Sequence, residues 1–350
     1  MPGADPRLAP DWETSVAGLL ESREWCTQAV RRARGEEEAQ RRAELQPGRP
    51  QPDPEPDTVM ERAQERVVLR WARQLQAEGD EAALALADFL LTGAPTEQVG
   101  ARERLVERAQ RSSQGFVISL ALQRCALDSV CNSLARRWTQ QEPDNAAAWL
   151  HSGGVLTPAE VLRGVQAATR AQDYRLTLAA RLLGLAQAPS VGLRDAAELQ
   201  LMFGMSAAWA LPRWAPLLKH CRALPQASEC VGSADRLWRL EDPQLINRIL
   251  SIKLAGEQAR QSPEWHARAA EAEAISQWSL ERSELELAAW HSVDSCDPSQ
   301  GFGAWLRVRL AQGEWPRLVA DMREQRQSVA ELAERRRLRT GRSLLDPPKP

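Results

Sequence analysis

Apolar residues recur every three to four positions along most of the chain, which is the period of an α-helix. From Thr58 onward this pattern predicts one helix after another, separated by short corners rich in Gly, Pro, Asp and Asn. The corners lie about 12–25 residues apart, at Gly79–Asp80, Gly93–Pro95, Glu142–Asn145, Gly153–Gly154, Pro189–Gly192, Glu241–Pro243, Ser262–Pro263, Asp297–Pro298 and Gly313. The apolar stretch Phe116–Leu122 has no partner of like character and is predicted to be a buried helix. The predicted fold class is therefore all-α.

Several corners carry side chains that are typical of helix starts. Thr157–Glu160 has the pattern of a capping box with proline at the first helical position, and Ser283–Glu286 has the pattern of a second box. Asp242 and Ser262 each precede a proline, which is the order expected of a capping residue and the first residue of a helix. The sequence therefore predicts that four helices begin directly after these residues.

Four segments with different composition follow one another along the chain. Residues 1–45 are predicted to hold an N-terminal helix that is partly mobile, because charged residues displace apolar ones in its second half. Residues 46–57 contain five prolines and are predicted to be an extended linker. Residues 58–340 form the predicted helical domain, and residues 341–350 a disordered, proline-rich tail.

Charge and composition argue against several classes of function. The 45 Lys and Arg residues nearly balance the 47 Asp and Glu residues, so a net charge of −2 gives no strong attraction to nucleic acid. The basic segment 335–342 is instead predicted to be a helix C-terminus, where cations interact favourably with the helix dipole. Uncharged runs such as 201–212 are too short to cross a bilayer, so no transmembrane segment is predicted.

Four of the six cysteines form two close pairs in the sequence. In one continuous helix, Cys125 and Cys131 would be about 9 Å apart along the axis and on different sides, too far for a disulfide. A helix break at Asp128–Ser129 would bring them together, and Pro225 would do the same for Cys221 and Cys230. We therefore predict two disulfides that each close a helix corner, the alternative being buried thiols of a cytosolic protein. Cys26 and Cys296 are left over; they could close a long loop or remain free.

The predicted disulfides indicate a compartment. Disulfides persist in oxidising environments, which favours the bacterial periplasm over the cytoplasm as the alternative. The first residues lack the basic start and apolar stretch of a signal peptide, so we expect that the leader is not present in this sequence.

No motif of a metal centre, a bound cofactor or a catalytic nucleophile is found. The four histidines lack the spacing of a zinc site, and the chain has no Gly-x-Ser-x-Gly elbow. Gly301–Gly303 lacks the strand and the lysine of a phosphate loop. The remaining enzymatic hypothesis is glycan hydrolysis by paired glutamates in the C-terminal third, although acids at these spacings also form ordinary solvated faces. The candidates are Glu257, Glu271, Glu273, Glu281, Glu284 and Glu286.

The 13 tryptophans are unusual for the length of the chain. In the C-terminal third they recur about once per helix, as expected if one large ring packs each helix against the next. A subset could instead line a concave groove that binds a peptide or a sugar, since tryptophan is common in binding hot spots. The candidates for this groove are Trp265, Trp278, Trp290 and Trp305.

The segment from Trp138 to Leu150, with Pro143 between two helices and Trp149 four residues into the second, resembles the junction between tetratricopeptide repeats. Gly153–Gly154 departs from that pattern, because the first helix of such a repeat should continue there. Residues 121–151 and the Cys221–Cys230 corner also resemble a group of all-helical, often exported proteins of proteobacteria with no known activity.

These resemblances imply an α-α superhelix of the tetratricopeptide type, with a compact array of helical bundles as the competing arrangement. The function expected of such a fold is non-catalytic binding of a protein or peptide partner in the cell envelope. The alternatives are an immunity or accessory protein of a secretion system and the glycan-acting enzyme.

Overall fold

The computed structural model describes residues 58–94, 98–125, 129–186, 211–224, 227–241, 244–290 and 314–346, together with 198, 201–202, 204–205 and 209, and for 58–63 and 283–290 it describes the backbone alone. These residues form fourteen α-helices and no strand, so the predicted all-α class is confirmed for the part of the chain described. The helices are α1 (Thr58–Glu78), α2 (Glu81–Leu91), α3 (Gln98–Arg111), α4 (Gly115–Arg124), α5 (Ser129–Gln141), α6 (Ala146–His151), α7 (Pro158–Ala167), α8 (Arg175–Leu185), α9 (Ala215–Ala223), α10 (Ser228–Arg239), α11 (Leu245–Gln261), α12 (Pro263–Trp290), α13 (Glu314–Glu324) and α14 (Val329–Thr340). The predicted N-terminal helix and the linker lie outside the described residues.

Capping side chains determine where several helices begin. Thr157 and Glu160 form the predicted capping box at the start of α7, with each side chain bonded to the backbone of the other. The carboxylate of Asp80 accepts a hydrogen bond from the N–H of Ala83 at 2.8 Å and caps α2. The start predicted at Ser283 is wrong, because α12 continues through it to Trp290. No glycine or proline interrupts α12 after Pro263, so the helix continues through Ser283 and the capping pattern there does not start a new helix.

The first hydrophobic core lies between α1 to α5 and α8. Trp71, Leu86, Leu105 and Ile118 are fully buried in it, and α4 is buried from Gly115 through Ala121. The prediction of a buried helix at this apolar stretch is therefore confirmed. Burial of large apolar side chains of this kind contributes about 1.5–3 kcal/mol each to folding.

The second hydrophobic core lies between α6, α7 and α9 to α14. Helix α6 belongs to both cores, because Ala147 and Ala148 pack in the first whereas Ala146 and Leu150 pack in the second. Successive residues of a helix point in different directions, so a six-residue helix can serve two cores. The two cores are thus joined through one short helix.

Helix α8 returns to the first core although it follows α6 and α7 in the chain. Leu178 and Leu182 pack in that core, and Arg181 forms an ion pair with Glu78 at 3.3 Å. Glu198 likewise lies beside Arg70 of α1. Helices therefore do not stack throughout in chain order, and the predicted superhelical repeat arrangement is not confirmed.

The chain after α14 packs against α11 and α12. Leu344 is 6% exposed within the second core, and the fully buried carboxylate of Glu273 accepts hydrogen bonds from the Ser343 hydroxyl at 2.7 Å and the Leu344 N–H. The predicted disorder therefore does not extend over residues 341–346, because Leu344 and the buried acid hold the turn. Residues 347–350 lie outside the described part of the chain.

Candidate functional site

Both predicted cysteine pairs are disulfide-bonded at helix corners. Cys125 and Cys131 join the end of α4 to α5, and Cys221 and Cys230 join α9 to α10, each with a Cα–Cα distance of 5.7 Å. Helices α4 and α9 end before the second cysteine of each pair, as the spacing argument requires. The predicted disulfides are confirmed, whereas Cys26 and Cys296 lie outside the described residues.

Two of the tryptophans predicted to line a groove are packed inside the second core. Trp265 and Trp278 are each 6% exposed. The guanidinium of Arg268 lies 4.4 Å from the ring centre of Trp265, and the Trp278 indole donates a hydrogen bond to Asp321 at 2.8 Å. These two rings therefore do not line an open groove. The side chain of Trp290 and all of Trp305 lie outside the described residues.

The described glutamates of the C-terminal third are mostly engaged with cations. Glu257 forms an ion pair with Arg260, and the carboxylate of Glu281 accepts two hydrogen bonds from Arg335, at 3.0 and 3.2 Å. Glu273 and Glu281 are eight residues apart on one helix, about 12 Å along its axis, beyond the carboxylate separations of glycosidases. Glu273 and Glu281 are therefore not spaced as a catalytic pair. Glu271 lies half-buried on the same helix, and the side chains of Glu284 and Glu286 are not described.

Among the described residues, no three His, Cys, Asp or Glu side chains come together in a way that could hold a metal ion. None of the described helices combines the length and the apolar character that a bilayer crossing requires.

A buried polar cluster lies where the two cores meet, and we call it the junction cluster. Its centre is the carboxylate of Glu142, which accepts hydrogen bonds from the indole N–H of Trp138 at 2.9 Å and the side-chain amide of Asn145 at 2.7 Å. The hydroxyl of Tyr174 donates to the same carboxylate, and Arg170 forms an ion pair with it at 3.6 Å. The cluster thus links α5, α6 and the start of α8.

Neighbouring residues explain why this arrangement is rigid. A Cβ atom on Gly115 would overlap the Glu142 carboxylate, so only glycine allows α4 to pass so close. The side-chain oxygen of the fully buried Asn145 accepts hydrogen bonds from the N–H of Ala147 at 3.1 Å and of Gln172 at 2.8 Å. Burial, reinforced by Glu142, raises the pKa of Tyr174, so its hydroxyl stays protonated as a donor. The donors and the acceptor satisfy one another, which gives the cluster a structural role.

His151 at the end of α6 lies against the ring of Trp138, with 5.4 Å between ring centres. Burial lowers the pKa of His151 to about 4 from its ordinary 6.5, and Asp173 opposes this shift in part. The folded protein therefore disfavours the charged imidazole.

We expect acidification to destabilise the protein through His151. The unfolded chain binds this proton near pH 6.5 and the folded chain near pH 4, so the stabilisation is complete above pH 6.5 and decreases as the pH falls towards 4. The loss amounts to about 3 kcal/mol when both states are protonated. In urea unfolding between pH 7 and pH 4, the free energy of unfolding should decrease less for His151→Phe than for the unchanged chain. The matched variant is His266→Asn on the exposed start of α12, and an equal decline in all three proteins would contradict the assignment.

A pocket of about 450 Å³ opens on the other side of the same junction. Three helices and the α6–α7 turn form its wall, and most of the side chains that line it are polar. The lining residues are Arg136, Thr139, Gln140, Trp149, Leu156, Glu160, Arg163 and Gly164.

The ring of Trp149 is held in place at this pocket. Its indole N–H donates a hydrogen bond to the carbonyl of Pro143 at 2.8 Å. Its face lies directly on Gly164 of α7, where a Cβ atom would overlap the ring. The half-buried ring therefore has one orientation, and Leu156 adds a second apolar surface beside it.

The exposed rim of the pocket is positively charged. Arg136 donates to the carbonyl of Val155 at 3.1 Å, and Arg163 is exposed without a hydrogen bond or ion pair among the described residues. The hydrogen bonds from Thr157 lower the pKa of Glu160, and the charges of Arg163 and Arg136 lower it further. Two cations and one engaged carboxylate leave the rim with excess positive charge. An acidic group beside an apolar group matches this lining.

The pocket was only partly predictable from the sequence. The resemblance to a tetratricopeptide junction singles out Trp149, but no sequence pattern marks Arg136 or Arg163 as functional. Gly164 is a further sequence signal for the pocket, because glycine inside a helix costs about 0.5–1 kcal/mol and often marks a close approach of another group.

Comparisons of the chain with protein-family models, with curated proteins and with solved structures find no match.

Proposed function

We propose that the chain is a non-catalytic helical protein that binds a protein partner in an oxidising compartment of the cell envelope. The pocket beside Trp149 is the observation that carries this proposal. It would receive a partner segment in which an aspartate or glutamate lies next to an apolar side chain. The apolar side chain would pack on Trp149 and Leu156, and the carboxylate would meet Arg163 and Arg136.

The residue types at the pocket suit protein recognition. Tryptophan and arginine are the residues most often found to dominate binding energy at protein interfaces. Trp149 is already fixed by Pro143 and Gly164, so binding would immobilise little additional side chain. Arg163 has no hydrogen-bonded partner among the described residues and is therefore available to a carboxylate.

The compartment is proposed from the two disulfides. Cysteine thiols are kept reduced in the cytosol, whereas disulfides persist where the surroundings are oxidising. The periplasm is the oxidising compartment that we propose. Alkylation of the protein from its native host, before and after reduction, measures this by intact mass. Alkylation of Cys125, Cys131, Cys221 and Cys230 without reduction would contradict the assignment.

A helical-repeat interpretation is part of the same proposal. From α1 to α7 each helix contacts the next in the chain, as in stacked helical repeats. The pocket lies between α5 and α7 within this run of helices.

The experiment is selection of a phage-displayed random peptide library on the oxidised protein. We expect enrichment of peptides that place an acidic residue beside an apolar one, because both parts of the pocket are then filled. Arg163→Gln should weaken a selected peptide by about tenfold, since a hydrogen bond to a charged group is lost. Trp149→Ala should weaken it further by removing the apolar floor. Binding is measured by calorimetric titration.

Arg323→Gln on α13 is the matched control, because it removes one exposed positive charge at a distance from the pocket. Equal weakening by Arg323→Gln and Arg163→Gln would indicate unspecific charge attraction and contradict the proposal. Selection of no common pattern would contradict it as well.

A further inference from the structure

Four cations from three helices and the C-terminal turn come together at a second surface, remote in sequence from the Trp149 pocket. We call them the basic surface. They are Arg222 in the last turn of α9, Lys253 in α11, Arg336 in α14 and Arg342 in the turn that follows α14.

Hydrogen bonds fix the C-terminal turn against α11 and α14. The amine of Lys253 donates to the carbonyl of Leu344 and, at 3.3 Å, to that of Asp346. The hydroxyl of Thr340 lies 2.9 Å from the carbonyl of Arg336 and 2.8 Å from that of Arg342. The chain thus folds back over the end of α14 and brings Arg342 towards Lys253.

The fourth cation reaches the basic surface from α9. This helix packs against α11, and its last turn is held by the disulfide between Cys221 and Cys230. Arg222 directly follows the bonded cysteine and lies close enough for its charge to act on Lys253. All four cations therefore have backbones that are fixed by other interactions.

The four cations repel one another, and this repulsion acts on the two half-buried members. Burial lowers the pKa of Lys253, and the charges of Arg342, Arg336 and Arg222 lower it further, against the opposing effect of Asp346. Burial also lowers the pKa of Arg336, with Arg342 acting in the same direction and Glu273 against it. Like charges at a half-buried place are unfavourable without a counter-ion.

Two neighbouring arginines of α14 have a purely structural role, because each pairs with a carboxylate of α12. Arg335 pairs with Glu281 at 3.0 Å, and Arg337 pairs with the buried Glu273 at 2.8 Å. Arg336, which lies between them in sequence, makes no side-chain hydrogen bond or ion pair with the residues that the structure describes. The guanidinium groups of Arg222 and Arg342 are likewise unpaired within that part of the chain.

We propose that the basic surface binds a phosphate group. A guanidinium offers two parallel N–H donors that match two phosphate oxygens, and an ammonium adds a compact charge, so three arginines with one lysine suit a multiply charged oxyanion better than a single carboxylate. The phosphate can come from the headgroup of an anionic phospholipid or from a soluble phosphorylated compound. This site is independent of the proposed peptide pocket.

Binding is tested with three probes on the full chain in oxidising buffer. They are phosphatidylcholine vesicles, phosphatidylcholine vesicles that contain phosphatidylglycerol, and glycerol phosphate in solution. We expect Arg336→Gln/Arg342→Gln to bind at least about tenfold more weakly than the unchanged chain to whichever probe, the phosphatidylglycerol vesicles or glycerol phosphate, the unchanged chain binds more tightly. Arg323→Gln/Arg335→Gln removes the same charge from α13 and α14 and should bind like the unchanged chain.

The outcomes separate the sources of the phosphate. Binding to phosphatidylglycerol vesicles alone supports the proposal with a membrane lipid as the source, and binding of glycerol phosphate supports it with a soluble ligand. Binding to neither probe, or equal weakening by both double variants, overturns the proposal.

A melting experiment without ligand distinguishes a binding role from a structural one. Arg336→Gln/Arg342→Gln should melt at or above the temperature of the unchanged chain, because repulsion within the basic surface is relieved. Melting clearly below the unchanged chain would show that these cations stabilise the fold, and it would also overturn the proposal.

Discussion

Replacement of Glu142 by alanine is expected to lower the free energy of unfolding by about 3–5 kcal/mol. The carboxylate is the shared acceptor of Trp138, Asn145 and Tyr174, so its removal leaves buried donors without a partner. A buried donor without an acceptor costs about 1–3 kcal/mol. Because the junction cluster lies between the two cores, the loss should destabilise both of them together. Urea unfolding followed by circular dichroism measures the effect.

Glu107→Ala is the matched control for this change. Glu107 is an exposed helical glutamate paired with Arg111 four residues on, and such a pair contributes about 0.3–0.5 kcal/mol. Glu142→Gln keeps the size of the side chain and one acceptor oxygen, and we expect an intermediate loss. Equal stability of Glu142→Ala and Glu107→Ala would show that the junction cluster does not hold the cores together.

Removal of both disulfides is expected to lower the free energy of unfolding by about 4–6 kcal/mol, since short loops contribute about 2–3 kcal/mol each in the chain-entropy description. The bonds close sequence separations of 6 and 9 residues. Cys125→Ser/Cys131→Ser should weaken the first core and Cys221→Ser/Cys230→Ser the second. Thermal unfolding of each double variant and of the quadruple variant, all in oxidising buffer, measures the two contributions.

Treatment with a reducing agent provides the control for the disulfide variants. Reductant should lower the melting temperature of the unchanged chain and leave the quadruple variant unaffected. An unchanged melting temperature of the native chain after full reduction, verified by alkylation and mass, would contradict a stabilising role for the two bonds.

The features that the sequence predicted correctly depend on short-range chemistry. The capping box of Thr157 and Glu160 and the cysteine corners involve residues fewer than ten positions apart, so backbone geometry alone relates them. The buried character of α4 follows from an apolar run with no polar face. The same logic fails at Ser283, where a correct capping pattern occurs without a break in α12.

The features that the sequence did not predict depend on contacts between distant segments. The indole of Trp278 donates its hydrogen bond to Asp321, 43 residues later, and no periodicity reveals that partner. The turn around Leu344 is ordered because Glu273, 71 residues earlier, is buried and needs donors. The pocket beside Trp149 is formed by residues from three helices, and among these residues only the tryptophan stands out by its residue type.

The return of α8 to the first core has a consequence for synthesis on the ribosome. Chains are made from the N-terminus, and N-terminal units usually fold first. Here the first core lacks Leu178 and Leu182 until α8 emerges, and by then α6 and α7 of the second core have already been made. A nascent chain that folds as it is made therefore exposes an incomplete apolar surface until α8 appears. This interval ends before Cys221 and Cys230, the cysteines of the second disulfide, have been synthesised.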